Sequence, residues 1–104
     1  MTVASGPVTV ICATGDLDMD TVQQFGRHLD RVVAAHAPEL LIVDLSGLGF
    51  LGAAGIAALL AGADRVGNGG GRLRLRRLSE AARLALEATR TLDLFDVESG
   101  SGTP

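Results

Sequence analysis

The chain has 104 residues, 47% hydrophobic and 20% charged, with a net charge of −3. That length supports one domain around one modest core, and so weak a charge gives nucleic-acid binding no support. No apolar run approaches the roughly 18–20 residues of a membrane span, and Met1 to Pro7 lacks the basic-then-apolar pattern of a secretory signal. The lone Cys12 has no partner for an internal disulfide, which fits a reducing cytoplasm. All nine basic residues are arginine. Without lysine the chain has no Schiff-base nucleophile and no phosphate-loop lysine.

Gly6-Pro7 is a turn signal, and the β-branched run Val8 to Ala13 after it reads as a strand, with Thr2 and Val3 as a short edge partner. Gly15-Asp16-Leu17-Asp18 breaks the strand. A helix is predicted from Asp18 or Asp20 to Ala37, with Val22, Phe25, Leu29, Val32 and Val33 forming its apolar stripe. Asp20 and Gln23 have capping-box spacing, and Pro38 ends the helix. Leu40 to Leu45 is nearly all apolar, as a central strand covered on both faces would be.

Ser46 to Gly49 reads as a loop. A second helix is predicted from Gly52 to Asn68 along Ile56, Leu59, Leu60, Ala63 and Val66, and Gly67 to Gly71 stops it. Arg72-Leu-Arg-Leu-Arg76 alternates as a strand with leucines inward and arginines toward solvent. Ser79 caps a third helix from Glu80 to Thr89, and Leu94 to Val97 is a last short element. The expected fold is α/β: residues 1–97 form a single domain with a mixed, mostly parallel sheet of four to five strands and helices mainly on one face. Residues 98–104 are expected to be a flexible tail.

Few residues suggest chemistry. Asp16, Asp18 and Asp20 alternate as a metal-binding or phosphatase loop would, but an EF-hand starting at Asp16 has Thr21 and Arg27 where glycine and glutamate belong. Capping of the first helix is the better reading of these acids. A metal-dependent phosphatase using Asp16 and Asp18 is the enzymatic alternative. His28 and His36 stand eight residues apart, too far along one helix to share a metal. Cys12, inside a strand, is expected to be a small buried residue. Arg72, Arg74, Arg76 and Arg77 read first as a solvated strand face and second as a docking surface for an acidic protein.

One segment goes beyond generic α/β patterning. Val43-Asp-Leu-Ser-Gly-Leu-Gly-Phe-Leu-Gly-Ala-Ala-Gly-Ile-Ala-Ala-Leu59 resembles the signature of the STAS family, the sulphate-transporter and anti-sigma-factor-antagonist domains. Gly15-Asp-Leu-Asp18 resembles that family's G-E-L-D. Leu78-Ser79, Leu86-Glu-Ala-Thr89 and Leu94-Phe95 resemble its third helix and closing segment. The resemblance implies a non-enzymatic domain without a cofactor that captures an anti-sigma factor, often a serine kinase. In such domains the first serine of D-S-S-G is phosphorylated and the complex is released.

Here the aspartate and serine positions hold Gly52 and Ala53, followed by Ala54, while the signature glycine is kept as Gly55. Ala53 has no hydroxyl to phosphorylate. Arg90 is a second departure, at a position where the family often has glycine. The expected partner surface comprises Asp16, Asp18, Ser46, Leu51, Gly52, Ala53, Ala54 and Gly55. Its partner would be an anti-sigma factor or another regulatory protein, with no nucleic acid or membrane involved. A scaffold or transport-complex subunit is the alternative role, and pairing through an edge strand the alternative assembly.

Overall fold

The β-branched and leucine-rich runs form a five-stranded sheet in a computed structural model, which describes residues 2–5 and 7–98. Strand β1 (Thr2–Ser5) pairs antiparallel with β2 (Val8–Leu17), and β2 is followed by helix α1 (Val22–His36). Then come β3 (Leu40–Leu51), α2 (Ala53–Asn68), β4 (Arg72–Arg76), α3 (Glu80–Ala88), a 3-10 turn (Leu92–Leu94) and β5 (Asp96–Val97). The strand order is β1-β2-β3-β4-β5, and every pair from β2 to β5 is parallel. Parallel crossovers are right-handed, so a strand order that advances steadily in one direction places all three helices over one face. Of the tail expected over residues 98–104, all but Glu98 lies outside the described residues.

Register divides the residues between the two faces. Thr9, Leu41 and Leu73 form one rung and Ile11, Val43 and Leu75 the next, all buried beneath Leu29, Val32, Ile56, Leu59, Val66 and Leu86 of the helices. Each such aliphatic side chain contributes about 1.5–3 kcal/mol. Thr9 is the exception, since its buried Oγ1 has no hydrogen-bond partner among the described residues. Thr9→Val is therefore expected to stabilise the fold by about 1 kcal/mol. Urea unfolding with an unchanged m-value would report it as a raised midpoint.

The opposite face carries the rungs Val10, Ile42, Arg74, Asp96 and Cys12, Asp44, Arg76. Two expectations are corrected here. Cys12 is exposed rather than buried, because its register with Asp44 turns it to the face without helices. The arginines are not simply solvated: Arg74 Nε lies 3.1 Å from Asp96, Arg76 Nη2 lies 3.2 Å from Asp44, and both side chains are half-buried.

Boundaries moved as well. Strand pairing carries β2 through Gly15 to Leu17 and β3 through Ser46 to Leu51, where a break and a loop were expected. Helix α1 starts at Val22, not at Asp18 or Asp20, because Asp18 Oδ1 accepts from the N–H groups of Asp20 and Thr21 and forms a turn first. Ser79 caps α3 as expected, its Oγ accepting from Ala82 N at 3.0 Å. Helix α3 closes in a Schellman turn: Thr91 N donates to Leu86 O, Arg90 N donates to Glu87 O, and Arg90 has φ +59°. That left-handed backbone is the conformation that glycine adopts most readily.

Candidate functional site

The parallel pair β2 and β3 ends at the same height, and their ends set the start of α2. Gly52 is extended (φ −95°, ψ 177°), and its N–H donates to Leu17 O at 2.9 Å. Its own carbonyl accepts from Ile56 N and opens the helix. No side chain caps this terminus and no acid stands in its first turn. The positive end of the helix dipole therefore faces outward over Ala53, which is exposed.

Two further pieces complete this surface. A Cβ added to Gly52 would lie 3.0 Å from Phe50 Cε2, so the half-exposed Phe50 ring borders the helix start. The β2–α1 turn arrives from the other side. Thr21 Oγ1 donates to Asp16 O at 2.8 Å and accepts from Asp18 N at 3.0 Å, which rigidifies the acidic turn and leaves Met19 83% exposed. Asp16 pairs in register with Phe50. Acidic turn, aromatic ring and helix N-terminus thus form one rim.

Of the eight residues expected at the partner surface, Asp16, Gly52, Ala53 and Ala54 reach this rim, with Asp18 partly buried in the turn beside it. Leu51 and Gly55 are buried under it. They hold the rim from beneath and offer a partner no contact. Gly55 is confined most closely: an added Cβ would lie 2.6 Å from Leu17 O and 2.9 Å from both Leu17 Cγ and Leu51 Cδ1. Ser46 does not join the group, since six residues of strand, about 20 Å, separate it from Gly52.

Ser46 belongs to a second cluster on the open sheet face. Its Oγ donates to Asp44 Oδ1 at 2.7 Å and its N–H donates to the same oxygen at 2.9 Å. Arg76 donates to Oδ2 through Nε and Nη2 at 3.3 and 3.2 Å, and Arg77 Nη1 stands 3.9 Å away. Burial pushes the Asp44 carboxyl upward, but the two Ser46 bonds and Arg76 outweigh it and hold Asp44 below the ordinary carboxylate range.

Sequence reasoning missed Asp44, and it did not single out Phe50 or Met19, although both lie within the Ser46–Leu51 and Asp16–Asp20 segments expected at the surface. The one available signal for Asp44 was a single acid inside the apolar run Leu40–Leu45, at a position that pairs across the sheet with an arginine. The three acids Asp16, Asp18 and Asp20 do not gather into a metal site. Among the described residues no group of three His, Cys, Asp or Glu side chains is placed to hold an ion. No helix of the described residues is long and apolar enough to cross a membrane.

The fold has counterparts among known structures. An anti-sigma factor antagonist from Mycobacterium paratuberculosis superposes with a TM-score of 0.82 at 26% identity, covering 97% of this chain and 85% of that one. The unphosphorylated form of the anti-sigma factor antagonist SpoIIAA gives a TM-score of 0.77 at 18% identity, covering 96% and 88%. The STAS domain of a SulP transporter from Vibrio cholerae gives 0.68 at 16%, covering 91% and 75%. No curated protein matches the chain. The family profile of the STAS domain matches residues 1–103, which takes in the strand end, helix start and buried glycine described above: the chain belongs to the STAS domain family.

Proposed function

We propose that this chain is a non-enzymatic regulatory domain of the anti-sigma-factor-antagonist type that holds its protein partner without a serine switch. The observation that carries the reading is Ala53, exposed at the uncapped start of α2 where the family's phosphoserine stands, beside the exposed Phe50 and Met19. An aromatic anchor with an apolar neighbour and a polar rim is the composition of a protein-docking patch. In a domain with serine there, phosphorylation would add about −1.5 to −2 charges inside the interface, and the cost of burying them would release the partner. Ala53 removes that step.

The test begins with affinity capture from the native host and mass spectrometry, which is expected to return an anti-sigma factor. Wild-type protein incubated with that partner and ATP is expected to gain no phosphate by intact mass and to stay bound. The Gly52→Asp/Ala53→Ser variant is expected to gain one phosphate and lose on the order of tenfold or more in affinity. A phosphate on the wild type sinks the unswitched reading. Recovery of transporter subunits in place of an anti-sigma factor would favour the second reading, a scaffold role, to which the likeness to a SulP transporter domain lends support.

A further inference from the structure

A groove of about 750 Å³ lies between the outer edge of β2 and the side of α1, one end of it reaching the Asp16 turn beside the α2 start. Strand β1 reaches only as far as the Thr2–Ile11 pair. Beyond it the edge of β2 from Cys12 to Gly15 has no strand partner among the described residues, and Cys12, Thr14 and Gly15 are exposed. Asp16 ends this free stretch because its carbonyl already accepts from Thr21. About four residues, or 13 Å of strand, are therefore open to pairing.

The facing wall is cationic. Arg27 and Arg31 of α1 line the groove, both are exposed, and neither has an ion pair among the described residues. In a chain of net charge −3 these two arginines gather positive charge at one end of the groove. Asp16 and Asp20 line the other end of the groove, so it runs from acidic to basic.

Spacing identifies what would fill it. Residues at i and i+4 of a helix are about 6 Å apart along its axis, and residues i and i+2 of an extended strand are about 6.6 Å apart on one side. A strand added to the β2 edge would aim alternate side chains toward α1, in step with Arg27 and Arg31. We infer that this groove binds a short extended segment of a partner protein carrying two acids at alternate positions, an acid-x-acid motif, as an added strand on β2. The register irregularities of β2 at Cys12–Thr14 and Gly15–Asp16 keep the ladder short and guard the edge against pairing with longer strands.

The test uses the whole chain and a fluorescein-labelled, N-acetylated peptide with the core Glu-Val-Glu-Val. It is expected to bind at least about tenfold more tightly than Lys-Val-Lys-Val, and than Val-Glu-Glu-Val, which puts its acids on opposite faces. Hydrogen exchange is expected to slow at the amides of residues 12–15 on peptide addition. Arg27→Glu/Arg31→Glu, both on exposed helix positions, is expected to abolish the preference while leaving the far-UV spectrum unchanged; Arg27→Gln/Arg31→Gln serves if the reversed pair misfolds. Equal binding of the two acidic peptides, no binding up to about 1 mM, or indifference to both arginine variants would overturn the inference. So would protection of the same amides by a concentration-dependent dimer of the chain alone. None of these outcomes depends on what binds at Ala53.

Discussion

Gly55→Ala is expected to cost about 2–3 kcal/mol, lowering the thermal midpoint by about 10–20 °C, although it adds one methyl to a helix and should improve its propensity. The methyl would stand 2.6 Å from Leu17 O and 2.9 Å from two leucine side-chain carbons. The side chains could turn aside, but the carbonyl cannot. It is backbone at the end of β2, and it already receives the Gly52 N–H that ties α2 to the sheet. Relief requires α2 to move away from β2, and that opens the same hydrogen bond. Gly26→Ala is the control, in the middle of α1 where an added Cβ meets nothing within 4 Å. There the loss of unfolded-state freedom decides the sign, and a gain of about 0.5–1 kcal/mol is expected. Urea denaturation of the two variants beside the wild type separates the effects. Similar behaviour of both variants would mean that Gly55 is not held by contact. Since Phe50, Gly52 and Ala53 ride on the same join, Gly55→Ala should also weaken partner binding in the population that stays folded.

The signature from Val43 to Leu59 was legible in the sequence as a resemblance, and so was the α/β order, because apolar periodicity follows directly from which face of each element is covered. Helix α1 kept its stripe and α3 kept its Ser79 cap. What could not be read was decided by pairing between distant segments. Gly15 and Ser46-Gly47 carry the composition of turns, yet β2 and β3 pair through them, with the irregularities absorbed as register shifts. Cys12 looked like a core residue because strand composition does not say which face lacks helices. The serine-containing loop and the helix start were grouped as one surface by closeness in sequence, whereas extended strand separates them. Gly55 had the opposite history: the motif marked it as a site residue, and the steric reason is support of the surface from below.

Arg76→Met is expected to destabilise the domain by about 2–3 kcal/mol at neutral pH, and the size of that loss should depend on pH. Methionine keeps much of the half-buried arginine stem, so packing changes little and the missing guanidinium dominates. Asp44 is 4% exposed and would keep two bonds from Ser46, but its Oδ2 would lose both donors and retain only Arg77 at 3.9 Å. In the wild type the folded carboxyl titrates below its ordinary value of 3.8. Its stabilising contribution is therefore complete above that value and disappears as pH falls through the lower folded value. With Arg76 gone, burial opposes the charge against Ser46 alone, and the folded carboxyl moves up relative to the wild type. The variant should consequently lose less stability than the wild type as pH falls through the unfolded carboxyl value. The gap between the two should narrow toward pH 3, where a protonated Asp44 has no need of a cation. Arg74→Met sets the scale for a pair whose acid is exposed, since Asp96 retains 38% side-chain exposure, and it is expected to cost about 0.5–1 kcal/mol. Urea midpoints of all three proteins between about pH 3 and pH 7 decide the matter. A gap for Arg76→Met no larger than that for Arg74→Met, or one constant across the range, would show that Asp44 is not held charged by Arg76. The open face of the sheet would then need another account of how an acid lies buried in its central strand.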